Sequence, residues 1–250
     1  MITVQDILEF LEEHFPLDSA CDFDNVGLLI GDESAPVTKV VVALDCTQSV
    51  VQYAIKAGCE LIVTHHPVIF EPLKTVKGDS LVWRLAQSGI AVISMHTNMD
   101  IGIDGVNDCL CKALHFTNIH KISAEDGYLL NSACLSPAMV ADELARHLKQ
   151  CLGGAVKYVG CDHPIKKVLI CSGSGGKFLY DAARMGYDAL ITAEVKHHWF
   201  LDAERLQIAL FDAGHFETED VVVEPLKMLL NSRFPSLSCL TDHSAVIRYV

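Results

Sequence analysis

One pattern constrains this chain more than any other: strand, helix closed by glycine, strand, written twice. "KVVVALD" (39–45) is an apolar run of strand length, "SVVQYAIKAG" (49–58) has helical spacing and closes on Gly58, and "ELIVT" (60–64) is a second strand. "SLVWRLAQSG" and "IAVISM" add a further helix and a strand that stops before His96. The order returns as "KVLICSGSGG" (167–176), "KFLYDAARMG" (177–186), "YDALIT" (187–192), "VKHHWFLDAERL" and "QIALFDAGH". Laid on one another, the copies pair Lys39 with Lys167, Ala54 with Ala182, Gly58 with Gly186 and Thr64 with Thr192, each pair 128 apart (192 − 64, for example).

This grammar predicts an α/β protein with mostly parallel strands, built as two similar α/β halves from an internal duplication. The expected halves are 1–123 and 124–250, with the last segment packing back on the first half. The start, "MITVQDILEFLEEHFP", reads as an amphipathic helix capped by Thr3, with Val4, Ile7, Leu8 and Leu11 on one face. Between the copies, 115–165 is rich in turns. It holds one further helix candidate, "SPAMVADELARHLKQCL", with Ser136 as cap and Pro137 in the first turn.

Composition decides what such a scaffold can meet. The net charge of −13, with no block of Lys and Arg, argues against nucleic acid and against anionic membranes, which leaves small molecules or proteins as partners. No apolar stretch approaches the roughly 20 residues that span a bilayer, and the acidic first helix is not a signal peptide. Most of the 10 cysteines, such as Cys46, Cys59, Cys134, Cys171 and Cys239, sit inside apolar patterns. They are expected as reduced, buried thiols of a cytoplasmic protein. Cys109 and Cys111 form a C-x-C with no second pair, and i and i+2 face apart on a helix, so they read as structural.

In α/β sheets, ligands bind beyond the carboxyl ends of the strands. Those ends deliver His65 and His66; His96 and Asp100 in "HTNMD"; Glu194; and Asp212, His215, Glu217 and Glu219 in "DAGHFETED". Imidazole and carboxylate at four strand ends make a metal site in a cleft there the leading expectation. Adjacent residues of a regular strand point to opposite faces, so His65 and His66 suit two ions of a pair better than one ion. A helix starting after Gly214 puts His215 and Glu219 on one face. With Asp100 the set mixes nitrogen and oxygen, which suits Zn, Mn, Fe or Co rather than Ca or Mg, and Glu219 is the candidate bridge. His14, His115, His120, His147, His163 and His243 lack such company and read as structural.

Two other motifs rank lower. "SGSGGK" (172–177) fails the phosphate-loop spacing and reads either as a packing turn or as an anion-binding turn. Asp24 and Asn25, in "DNVGLLIGD", are polar residues beside an apolar strand and read as edges of the site or as loop residues.

"DFDNVGLLIGD" (22–32), "THHPVIF" (64–70), "HTNMDIGIDGVND" (96–108) and "GHFETE" (214–219), in that order, resemble the NIF-three-like family, also known as the GTP cyclohydrolase 1 type 2 family. The resemblance implies a two-domain α/β protein, a homohexamer with a dinuclear metal centre, and His65, His66, Asp100, His215 and Glu219 as metal ligands. His96 then looks like a catalytic neighbour of the metal. The chain is a short form without the domain that some members insert between the halves, and it has Ala193 where the family often has Gly.

The expected function is a dinuclear-metal-dependent hydrolase that uses metal-bound hydroxide, with His96 or Glu194 moving protons. Its substrate is a small molecule: GTP if the cyclohydrolase label holds, otherwise a phosphoester or another heterocycle. The alternative is a non-catalytic metal-binding or adaptor protein. Five ligands are too few to saturate two ions, which favours catalysis.

Overall fold

The computed structural model describes residues 1–248. In chain order its first run is α1 (Val4–His14), β1 (Gly27–Ile30), β2 (Lys39–Ala43), α2 (Gln48–Ala57), β3 (Leu61–Thr64), α3 (Leu81–Ser88), β4 (Ala91–Ser94) and α4 (Thr97–Ile101). The second run is α5 (Val106–Ala113), β5 (His120–Ser123), β6 (Leu129–Met139), α6 (Ala141–Leu152), β7 (Lys157–Val159), β8 (Ile165–Ser174), α7 (Leu179–Met185), β9 (Ala189–Ala193), α8 (His197–Leu206), β10 (Ala209–Asp212) and α9 (His215–Glu219). The chain closes with α10 (Val223–Arg233) and β11 (Ser238–Asp242).

Two compact units result: 1–103 with 222–244, and 104–221 with the tail that begins at Ala245. The boundary falls 20 positions before the expected one (123 − 103), because α5 gives Leu110, Cys111 and Leu114 to the core of the second unit. Residues 222–244 join the first unit, where β11 pairs in parallel with β2 from Ser238 opposite Lys39 to Asp242 opposite Ala43.

The first unit carries a five-stranded sheet ordered β1-β4-β3-β2-β11, parallel except for β1. β3 is central and buried on all four residues, as expected of a strand covered on both faces. On one face Val41, Ala43, Ile62 and Val92 pack with Val50, Val51 and Ala54 of α2 and Leu85 of α3. Helix α1 forms as its apolar spacing predicts, and a Thr3–Asp6 capping box satisfies its first amides.

The second unit carries a six-stranded sheet ordered β5-β6-β8-β9-β10-β7. Its strands β8, β9 and β10 are parallel, and their alternation splits two cores. Val168, Ile170, Ile191 and Phe211 face Leu144 and Leu148 of α6, while Leu169, Leu190 and Leu210 face Leu179 and Ala182 of α7 and Ala203 of α8.

The duplication is written in backbone bonds as well as in topology. Glu60 accepts the amides of Thr38 and Lys39 at 3.0 and 2.9 Å, and Asp188, 128 residues on (188 − 60), accepts those of Lys166 and Lys167 at 2.9 and 2.8 Å. Gly58 and Gly186 both end their helices in the left-handed region, at φ 67° and 72°.

One expected helix start is corrected. Ser136 and Pro137 lie in β6, and α6 begins only at Ala141 behind Val140. The pairing of β6 with β8 shifts register between Cys134 and Met139, and a proline that offers no amide fits that interruption.

Candidate metal centre

Strand β3 ends at Thr64, so His65 and His66 escape the strict alternation of a strand. Their rings lie 4.9 Å apart, and that of His96, just beyond β4, is 5.1 Å from His65 and 5.5 Å from His66. One ring nitrogen from each of the three falls within 4.8 Å of the others.

Each of these imidazoles is held from behind. His65 Nδ1 is 3.0 Å from the Met95 carbonyl, His66 Nδ1 is 2.7 Å from Asp45 Oδ1, and His96 Nδ1 is 2.8 Å from Asp24 Oδ1. A carbonyl or an ionised carboxylate can only accept, so in these bonds Nδ1 is the donor, and in the neutral ring the lone pair is then on Nε2. That is the outer hydrogen bond that metal-binding histidines characteristically make. Asp100, buried on α4, brings Oδ1 to 3.5 Å from His65 Nε2.

In the second unit α9 begins at His215, directly after Gly214, and the i, i+4 spacing sets Glu219 Oε2 2.9 Å from His215 Nε2. His215 Nδ1 meets Glu194 Oε1 at 3.0 Å. Glu194 follows β9 with a left-handed φ of 50°, a conformation that non-glycine residues seldom adopt. The loop that presents these groups is braced by the buried Asp212, which accepts the amides of Val195 and Gly214 at 3.2 and 3.3 Å and pairs with Lys157 at 2.8 Å. Gly173 packs its backbone against the donor pair. A Cβ there would stand 2.1 Å from Glu219 Oε1 and 3.2 Å from His215 Nε2.

In each unit imidazole nitrogens stand beside a carboxylate, the donor chemistry that can hold a metal ion. Groups of His, Asp and Glu able to bind metal ions are therefore present, as the strand-end argument expected.

Asp45, just beyond β2, holds the His66 ring and is missing from the strand-end candidates. It lay at the end of "KVVVALD", and applying the rule to that strand too would have found it. Asp24 proves to be tied to His96, and Asn25 donates to the Ile69 carbonyl. The "SGSGGK" segment is a packing turn. The amides of Ser172, Gly173 and Gly175 donate to Asn107, Thr218 and Thr192 side chains, and Cβ atoms at Gly175 and Gly176 would strike Cys171 and Trp199.

Among the described residues no cysteine is in a disulfide. Burial pushes the thiols of Cys46 up to about 12 and of Cys109 and Cys111 up to about 11, so all three stay protonated. Cys134 is exposed on β6 rather than buried as its apolar surroundings suggested, because its neighbours Ala133 and Leu135 take the core face and strand alternation turns Cys134 away from it, and Cys239 is half-buried. No helix among the described residues is long and apolar enough to cross a membrane.

The chain is 34% identical to a GTP cyclohydrolase 1 type 2 homolog of Clostridium acetobutylicum, over 91% of this chain and 90% of that one. It is 33% identical to the Clostridium perfringens protein of the same description, over 93% of each. The crystal structure of a Staphylococcus aureus hypothetical protein matches with a TM-score of 0.92 at 30% identity, covering 99% of both chains. With a match to Duf34/NIF3 (NGG1p interacting factor 3) over residues 2–245, this chain belongs to the Duf34/NIF3 family.

Proposed function

We propose that the protein is a dinuclear-metal-dependent hydrolase in which His65, His66, Asp100, His215 and Glu219 hold two divalent transition-metal ions, Zn, Mn, Fe or Co, with Glu219 as the bridge. The observation that carries this reading is the common arrangement of the three clustered imidazoles, each with Nδ1 hydrogen-bonded to an acceptor and with one ring nitrogen of each within 4.8 Å of the others. A core or surface histidine needs one such bond. Three together prepare a nitrogen-rich site.

Two ions held there would lower the pKa of water toward neutrality, and five ligands leave positions for it. Around them the chain's own groups divide the work. Asp45 and the Met95 carbonyl hold His66 and His65 in coordinating orientation. His96, with its lone pair on Nε2, is placed to take or return a proton. Glu194 steadies His215 through Nδ1 and, with its carboxylate largely exposed, is the second candidate for proton transfer.

The substrate is a small molecule, and the description of the relatives as GTP cyclohydrolase 1 type 2 homologs favours a nucleotide. The acidic charge of −13 speaks against a nucleic-acid polymer. Cysteines outside disulfides suit a cytoplasmic location, and the family resemblance supports a homohexamer. The test is hydrolysis of GTP, of other nucleotides and of phosphoesters by chain loaded with each metal, with His96→Ala and Glu194→Ala alongside. Turnover of one class, falling at least about 100-fold in one of the two variants, is the expected result. Stoichiometric metal without turnover on any class would favour a metal-binding or adaptor protein instead.

A further inference from the structure

We propose that Asp24 is a positioning residue that fixes the ring and the tautomer of His96, so that this imidazole turns its Nε2 lone pair toward His65 and His66. The catalytic consequence rests on the hydrolase reading above; the tautomer itself does not.

Asp24 belongs to the loop before β1, and its side chain has no exposure to solvent. Its two oxygens are divided. Oδ2 accepts the Thr97 amide at 2.9 Å and the Thr97 hydroxyl at 2.6 Å, while Oδ1 accepts His96 Nδ1–H and the amide of the next residue, Asn25, both at 2.8 Å. Securing the loop to the start of α4 needs only the first oxygen. The second takes the local Asn25 amide and also reaches a side chain 72 residues away in sequence, whose ring lies beside two other imidazoles.

A carboxylate without solvent is costly unless donors surround it. Burial raises the Asp24 pKa, but the bonds from His96 and Thr97 outweigh it and hold the group below the usual carboxylate range. Asp24 is therefore a permanent acceptor, and His96 Nδ1 must bring the proton. The backbone is pinned as well, since the His96 amide donates to Asn98 Oδ1 at 2.9 Å and the Cys21 amide donates to Thr97 Oγ1 at 2.9 Å.

In Asp24→Asn the side chain would offer one acceptor and one donor where the carboxylate offers two acceptors. With the amide oxygen kept on the two Thr97 donors, the NH2 group replaces Oδ1, gives up the bond from the Asn25 amide and faces His96 Nδ1, which must then accept, and the ring proton moves to Nε2. The same exchange behind a catalytic histidine elsewhere costs about 10⁴ in kcat through the wrong tautomer.

The test uses the full chain, zinc-loaded and labelled with ¹⁵N-histidine, at pH about 8, where histidine is neutral. Long-range ¹H–¹⁵N spectra then identify which nitrogen of His96 carries the proton. The expected result is Nδ1–H in the parent and Nε2–H in Asp24→Asn, with unchanged zinc content and, on a substrate that the parent turns over, kcat lower by roughly 10²- to 10⁴-fold. Thr97→Ala, which loosens the loop and leaves Asp24 Oδ1 in place, should keep the parent tautomer. A parent protonated at Nε2, an Asp24→Asn protein that keeps Nδ1–H, or a Thr97→Ala protein that inverts as Asp24→Asn does would each overturn the proposal. The tautomer is read without turnover, so inversion in a protein that hydrolyses nothing would sink the hydrolase reading and leave the role of Asp24 standing.

Discussion

At the scale of single residues, the candidate donors are legible in the sequence and the groups that brace them are not. His65, His66, Asp100, His215 and Glu219 announce themselves by type and by place after a strand. Asp45 and Asp24 act by touching a histidine 21 or 72 residues away, and one sequence does not say which loops meet. Gly173 belongs with them. Its φ of 57° is costly for any side chain, and a Cβ there would run into Glu219. Gly173→Ala should therefore cost about 2–5 kcal/mol, the left-handed backbone and the overpacking combined, and should weaken metal binding as Glu219 is displaced. Denaturant unfolding and a competition titration with a chelator would measure the two effects.

At the scale of elements, periodicity and glycine punctuation carried most of the reading. Helix α1, the two strand-helix-strand copies and the start of α9 lie within a residue or two of their expected positions, because apolar spacing and terminal glycines are local signals. The failure at Ser136 and Pro137 has a physical cause. Ser-Pro before a helical run imitates a cap, while the competing signal, pairing with β8, is remote in sequence. The matched helix ends offer a contrast with Gly173, since no atom lies within 4 Å of where a Cβ at Gly58 or Gly186 would stand. Alanine at either should cost only the left-handed backbone, about 1–2 kcal/mol, and leave metal binding intact. Equal losses at the two positions in urea melts would agree with their equivalence in the duplication; a loss of metal at either would not.

At the scale of the whole molecule, acid should weaken the fold in a definite direction. Burial opposes ionisation of Asp24, whose side chain is closed to solvent, and of the half-buried Glu60, yet hydrogen bonds from His96 and Thr97 to the first and from Thr38 and Lys39 to the second depress their pKa values. A depressed carboxylate stabilises the folded state above its unfolded pKa of about 4 and loses that contribution as the pH falls through the lower, folded value. Urea midpoints of the metal-free chain should accordingly be flat from about pH 7 to 5 and drop below about 4, with a shallower drop in Asp24→Asn. A midpoint that rises on acidification would refute these assignments. Bound metal should raise the melting temperature, because ions held only by the folded state stabilise it.

The central claim is that five side chains hold two ions, and elemental analysis of freshly purified full chain and of Glu219→Ala, each after reconstitution with Zn, Mn or Fe, tests it most directly. About two transition-metal ions per parent chain, and loss of both from the variant, is the predicted result for a bridging carboxylate. One ion or none in the parent, or a variant that still holds two, would contradict it.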